Sequence, residues 1–304
     1  MNQLKQFPNN ARVCFVGDSI THRGVFSKHV VAYYREHFSE LNIEFYNCGI
    51  AGGNLGNTVR VFDEDIAIYD PTHIVLMIGV NDSRRDRLRD PKGEERYGKL
   101  FGAYEIYKKN MDSFYQLTQE RGIELILCTP MPYAEYQEGG DPPIPGGYTL
   151  IQGYAEFVRS FALEHGLALC DYHTEITRYM QTETLYDPDH VHPTPRGHAL
   201  MAKVFLAALG IDYDVVTAFS EDIEEWYDTT QTLRNIITTE FLMVSGYLDM
   251  TDDQRMKKVG EHYENIKNGT YDPGQYFVRL VEAYVENKPR QAEYIELVKK
   301  FMKQ

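Results

Sequence analysis

Cysteine is scarce in this 304-residue chain, which has only Cys14, Cys48, Cys128 and Cys170. None of them forms a C-x-x-C pair, so a zinc site is not expected. Each sits in or beside an apolar run, as reduced core thiols of a cytoplasmic enzyme do. No apolar run approaches the ~20 residues of a membrane span, and the polar stretch Met1–Asn10 lacks the apolar core of a signal peptide. A cytoplasmic location without a membrane partner is the expectation. Basic clusters are missing as well: the net charge is −14, which argues against nucleic acid as a partner. The motifs G-x-G-x-x-G and G-x-x-x-x-G-K-[ST] are absent, and so is the G-x-S-x-G nucleophile elbow.

What is present reads as an ordinary globular protein, with 43% hydrophobic and 25% charged residues. Five short apolar runs predict strands at Arg12–Val16, Ile43–Asn47, His73–Gly79, Glu124–Cys128 and Leu167–Asp171. They are apolar throughout rather than alternating, which suits a parallel sheet covered on both faces. Helical periodicity lies between and after them, over Val25–Phe38, Phe101–Arg121, Ile151–His165 and Gly197–Leu209. Gly122, Gly166 and Gly210 close the last three. The alternation predicts an α/β fold: a doubly wound, mainly parallel five-stranded sheet with helices on both faces.

Two long connections interrupt this pattern. Asp82–Lys99 is highly charged and Met131–Tyr148 is rich in Pro and Gly; insertions of this size are expected to serve as lids or binding loops. After Gly210 the strand signal stops. Helical stretches follow at Ile223–Gly246, Thr251–Asn268, Gln275–Glu286 and Arg290–Met302, with 18 Asp/Glu and 11 Lys/Arg that carry half of the net charge. An α/β domain over 1–210 and a helical extension over 211–304 are therefore expected. The apolar positions Ile236, Ile237, Phe241 and Val244 would serve either a homo-oligomer through these helices or packing within one chain.

Four short signals sit at strand ends or before the last α/β helix. Gly17-Asp18-Ser19-Ile20-Thr21 places a serine after the first strand; it reads as a nucleophile if a base stands near, and otherwise as a turn or helix cap. Asn47-Cys48-Gly49-Ile50-Ala51-Gly52-Gly53-Asn54 offers backbone N–H groups to an anion, or only a glycine turn. Gly79-Val80-Asn81-Asp82 follows the most apolar strand. Its asparagine amide could donate to a developing oxyanion, or cap a helix as an Asx turn. Asp189-His190-Val191-His192 sets a carboxylate and an imidazole three residues apart. That is an acid–base pair in a Ser-His-Asp arrangement or, with Asp187, a metal-binding cluster.

Together and in this order, the four blocks resemble the SGNH subgroup of the GDSL esterases and lipases, over roughly Arg12 to Leu209. The resemblance implies a flavodoxin-like sheet and a serine hydrolase that needs no metal or organic cofactor. It implies Ser19 as nucleophile, His192 as general base and Asp189 as the residue orienting it. The oxyanion donors it implies are the Ser19 N–H, the Gly52 N–H and the Asn81 amide. Gly52 is chosen over Gly49 and Gly53 by counting Asn-x-x-x-x-Gly from Asn47. The first block has Ile20 where the family pattern has leucine, which preserves apolar bulk.

The expected function is a carboxylic ester hydrolase acting through an acyl-enzyme. Polar loops carrying Tyr133, Tyr136 and Tyr148 suit a short-acyl ester, such as an acetyl group on a sugar or another small polar molecule. The alternatives at the same site are a lipase- or thioesterase-type acylhydrolase and an acyltransferase; a non-catalytic binding protein that kept the fold is not expected, because all the catalytic residue types are present.

Overall fold

The computed structural model describes residues 4–90, 93–244 and 246–301. Met1, Pro91, Lys92, Ser245 and Met302, which belong to segments discussed above, lie outside the described residues. The chain forms two compact units, the first ending at Phe219 and the second beginning at Ser220.

The first unit is built on five strands: β1 (Arg12–Gly17), β2 (Glu44–Gly49), β3 (His73–Met77), β4 (Glu124–Cys128) and β5 (Ala168–Cys170). All pairings are parallel and the order is β2-β1-β3-β4-β5. β1 and β3 are almost wholly buried, which explains why their sequences do not alternate. The four cysteines lie on β1, β2, β4 and β5, all buried, and no disulfide links them.

From β1 the chain moves outward to β2, then returns past β1 to β3, β4 and β5. Right-handed crossovers in opposite directions put helices on both faces and open a crevice where the order reverses, beyond the ends of β1 and β3. Gly17 ends β1 there, in register with Gly49 on one side and Met77 on the other.

The helices of this unit are α1 (Ser19–Arg23), α2 (Val25–His37), α3 (Leu55–Arg60), α4 (Gly93–Glu120), α5 (Gly147–Glu164), α6 (Tyr172–Tyr179) and α7 (Pro195–Ala208). α2 packs on α7. Phe7, Phe15, Phe26, Phe45 and Phe205 meet mostly edge to face in the core nearby. Such contacts add to the burial of these large side chains.

Three helices went unread in the sequence. α1, α3 and α6 span only five to eight residues, too few for a periodic signal. α4 starts at Gly93, well before the expected Phe101, because its first turns are polar and exposed. The charged Asp82–Lys99 segment is accordingly not structureless: it holds a 3-10 turn at Arg85–Arg89 and then enters α4.

The second unit contains α8 (Glu221–Met243), α9 (Asp252–Lys267), α10 (Gln275–Asn287) and α11 (Gln291–Phe301). α8 packs against the other three. Thr251 and Gln254 form a capping box that starts α9. Glu240 is buried, and Lys288 Nζ at 2.6 Å and Tyr284 Oη at 2.9 Å offset the cost of burying its charge. Ile236 and Val244 are buried in the single chain. Among the described residues no helix is long and apolar enough to cross a membrane.

Candidate active site

The end of β1 turns directly into α1, and Asp18 makes that turn possible. Its carboxylate caps α1 by accepting the Ile20 N–H at 3.0 Å. Ser19 is therefore the first helical residue, and its own N–H has no intrahelical acceptor. The turn is so tight that a Cβ on Gly17 would sit 2.3 Å from Thr21 Oγ1 and 2.4 Å from the Met77 carbonyl oxygen. The glycine of the Gly-Asp-Ser block is thus a steric requirement for folding α1 back onto the sheet. Asn47 holds the neighbouring strand end to the same helix, donating to the His22 carbonyl at 3.2 Å and accepting the Gly49 N–H at 2.9 Å.

His192 reaches Ser19 from a loop 173 residues further on, and Ser19 Oγ lies 2.8 Å from His192 Nε2. On its other side, His192 Nδ1 lies 2.5 Å from Asp189 Oδ2, while Asp189 Oδ1 accepts the N–H groups of Val191 and His192 at 2.9 Å each. Burial alone would raise the Asp189 pKa. The bonds from the His192 ring and the two N–H groups prevail and hold it below the usual carboxylate range. An anionic Asp189 bonded to Nδ1 fixes a proton there and leaves Nε2 free to accept one from Ser19.

This loop is itself braced. Asp187 N donates to the His192 carbonyl at 2.7 Å, Thr194 N to the Leu185 carbonyl at 2.8 Å, and Tyr186 bridges Pro193. Asp187 accepts from Arg23 Nη1 at 2.8 Å, tying the loop to the helix that carries Ser19. His190 adopts a positive φ of 64°. Its two ring nitrogens face the carbonyls of Ala134 at 3.0 Å and Asp141 at 2.6 Å. Those contacts commit His190 to the 131–148 loop. Among the described residues no group of three or more His, Cys, Asp or Glu could hold a metal.

The second and third blocks are joined to each other. Asn81 Nδ2 donates to the Gly53 carbonyl at 2.8 Å, and Asp82 Oδ1 accepts the Leu55 N–H, the first of α3, at 3.0 Å. Gly52, between them, has φ of +75°, a conformation that favours glycine. Among the described residues its N–H has no protein acceptor. An amide NH2 carries two hydrogens, so Asn81 keeps one after its bond to Gly53.

Asp18 and Asp82 are both buried beside this arrangement. Burial pushes the Asp18 pKa up to about 6 against the lowering effect of the Ile20 N–H, His192 and Arg85. Burial also pushes Asp82 up to about 7, with the nearby Asp18 charge adding to the rise.

The structure thus brings Ser19, His192 and Asp189 into one hydrogen-bonded line, with Asn81 anchored to the Gly52–Gly53 turn. Arg23, Asp82 and Asp187 were not singled out in the sequence for these jobs. Asp82 lay inside the third block and Asp187 two residues before the fourth, but nothing in the spacing showed what each would grip.

The loop tyrosines divide. Tyr133 is buried, and its hydroxyl accepts the Ile144 N–H at 2.8 Å. With Val80, Ile144, Ile151 and Val191 it forms an apolar cluster joining the third block, the 131–148 loop and the His192 loop. Tyr136, 78% exposed, and the half-buried Tyr148 stand on the wall of a cavity of about 580 Å³.

Residues 15–200 match the GDSL-like Lipase/Acylhydrolase family. An acetylxylan esterase of Geobacillus stearothermophilus is 27% identical over 221 residues, which cover 66% of this chain and 95% of that protein. A solved structure of an acetyl xylan esterase variant from the same organism has a TM-score of 0.57 at 23% identity, covering 68% of this chain and 98% of that one. Other solved structures of this esterase are of catalytic mutants at a serine, an aspartate and a histidine. A gut microbial diltiazem-metabolizing enzyme has a TM-score of 0.76 at 15% identity, covering 99% of this chain and 97% of that one. The chain belongs to the GDSL-like Lipase/Acylhydrolase family and is a carboxylic ester hydrolase.

Proposed function

We propose that the enzyme is a serine esterase that removes short acyl groups, acetyl above all, from a carbohydrate or another small polar alcohol. The observation that carries the serine mechanism is the unbroken line Asp189–His192–Ser19, with contacts of 2.5 and 2.8 Å. His192 Nε2 takes the Ser19 proton as Oγ attacks the ester carbonyl. The N–H groups of Ser19 and Gly52 and the remaining Asn81 N–H receive the charge that forms on the carbonyl oxygen. The C–O bond to the alcohol then breaks, and His192 returns the proton to the departing oxygen. Water, deprotonated by His192, attacks the acyl carbon; the bond to Ser19 Oγ breaks, the acid leaves, and His192 returns the proton to Oγ.

The acetyl and carbohydrate preference rests on the acetylxylan esterase relative and on the polar surroundings of the site. The mutants of that relative at a serine, an aspartate and a histidine agree with the same three residue types here. Release of acetate from acetylated xylo-oligosaccharides, set against hydrolysis of p-nitrophenyl esters of two to eight carbons, tests this reading. Cleavage that rises with chain length would point to a lipase-like acylhydrolase instead. Transfer of acetyl to an added alcohol in preference to water would point to an acyltransferase.

A further inference from the structure

A cavity of about 400 Å³ borders the proposed catalytic line on the Asp189 side, and its wall includes Arg85, Arg89, Tyr133, Asp141 and Asp189. Two guanidinium groups on so small a wall need an account, because neither makes an ion pair among the described residues. Arg89 is exposed and spends one nitrogen on the Pro142 carbonyl at 2.7 Å. Arg85 is half-buried, and its Nη1 donates to the Val80 carbonyl at 3.0 Å. Its Nε is buried without an acceptor, and among the described residues Nη2 has none either. Its guanidinium carbon lies 5.9 Å from the centre of the Tyr133 ring, a contact that restrains the group.

Among the described residues Asp189 makes no hydrogen bond to either arginine; its oxygens accept from the His192 ring and from the Val191 and His192 N–H groups. Asp141 stands at the exposed edge, with its backbone tied to Pro188 and His190. The donor that Arg85 leaves over is Nη2, and a guanidinium N–H is a strong donor to a carboxylate oxygen. We propose that this cavity binds a carboxylate carried by the substrate, with Arg85 as its principal partner and Arg89 as the second. The enzyme would then prefer acidic esters to neutral ones of the same size. The proposal rests on the ester-hydrolase reading of the adjoining site and adds to it the charge of the substrate.

Two matched pairs of substrates test it and separate the sources of the charge. Mono-O-acetyl glucuronic acid against mono-O-acetyl glucose places the carboxylate on the alcohol. p-Nitrophenyl hemisuccinate against p-nitrophenyl butyrate places it on the acyl group. In at least one pair, kcat/KM at low salt should favour the acid by about tenfold, the scale of one charge-assisted contact. That ratio should shrink toward one in Arg85→Gln, fall in Arg89→Gln, and decline as salt is added.

Arg85 also feels the charges of Asp18 and Asp189, so its removal can change the absolute rate. The acid-to-neutral ratio is insensitive to such a change. If Arg85→Gln fails to fold, Arg89→Gln decides, since that side chain is exposed. A ratio near one in both pairs, or one unchanged in both variants, overturns the carboxylate site while leaving ester hydrolysis intact. If no ester in either pair is cleaved, and Ser19→Ala matches the parent on all of them, both readings fall together.

Discussion

Arg23 Nη1 lies 2.8 Å from Asp187 Oδ2, so the helix that starts at Ser19 is pinned to the loop that carries His192. Both side chains are part-exposed, and the pair adds little to global stability. Its consequence is local, because it fixes the spacing of two groups that must stay in hydrogen-bond contact. Arg23→Ala should lower kcat for p-nitrophenyl acetate about tenfold with little change in melting temperature, because small misplacements of reacting groups are costly. An Asp187→Ala, Arg23→Ala double variant no worse than either single one would show that the two act as a pair. Unchanged kcat in both single variants would remove the pair from the account.

Asp189 is asked to hold a proton on His192 Nδ1. In Asp189→Asn, the amide oxygen can still accept the N–H groups of Val191 and His192, but the NH2 then faces Nδ1. That reverses the ring's tautomer and puts the proton on the nitrogen nearest Ser19. The kcat should drop by about 10⁴, the loss found when this change is made in other serine hydrolase triads, while the fold survives. A loss below tenfold would show that Asp189 does not set the tautomer.

Asn81 is held by its bond to Gly53 at 2.8 Å and has one amide hydrogen left over. Asn81→Ala should reduce kcat by about 10² to 10³ with KM little changed, the pattern for a donor engaged mainly in the transition state. A raised KM at full kcat would make Asn81 a ground-state binding residue.

Asp82 predicts a pH effect on stability. Its folded pKa is about 7 against an ordinary value of 3.8, so between these values the folded chain holds more protons than the unfolded one. Stability from this group therefore falls as pH rises through that window and is lowest above it. The cost has an upper limit of about 4 kcal/mol. Asp82→Asn keeps an oxygen for the Leu55 N–H and cannot ionise. Its melting temperature relative to the parent should improve between about pH 5 and pH 8. A difference that stays constant across that range would contradict a buried, proton-holding Asp82.

Much of this arrangement was legible because each site block sits at a strand end or just before a helix. Val13–Val16 and Ile74–Met77 are buried on both faces and read as unbroken apolar runs. Ser19, Asn81, Asp189 and His192 could be placed at the crevice once the order of strands and helices was read. The helix at Ser19–Arg23 could not, because five residues leave no period and its cap, Asp18, looks like any turn acid. Tyr133 was read with the open loop tyrosines and is instead largely buried in an apolar cluster beside a cavity wall, since a single aromatic in a Pro/Gly-rich loop carries no sign of which way it faces. Arg85 was one cation in a charged run; only folding shows that it comes to rest beside Asp189.

The central claim is that Ser19 is the nucleophile. The most direct measurement is mass spectrometry of the protein after treatment with a fluorophosphonate, alongside hydrolysis of p-nitrophenyl acetate, in the parent and in Ser19→Ala. The account predicts a single phosphonyl adduct on the peptide containing Ser19 in the parent. It predicts neither adduct nor hydrolysis above the uncatalysed rate in the variant. An adduct on another residue, or full esterase activity in Ser19→Ala, would contradict it.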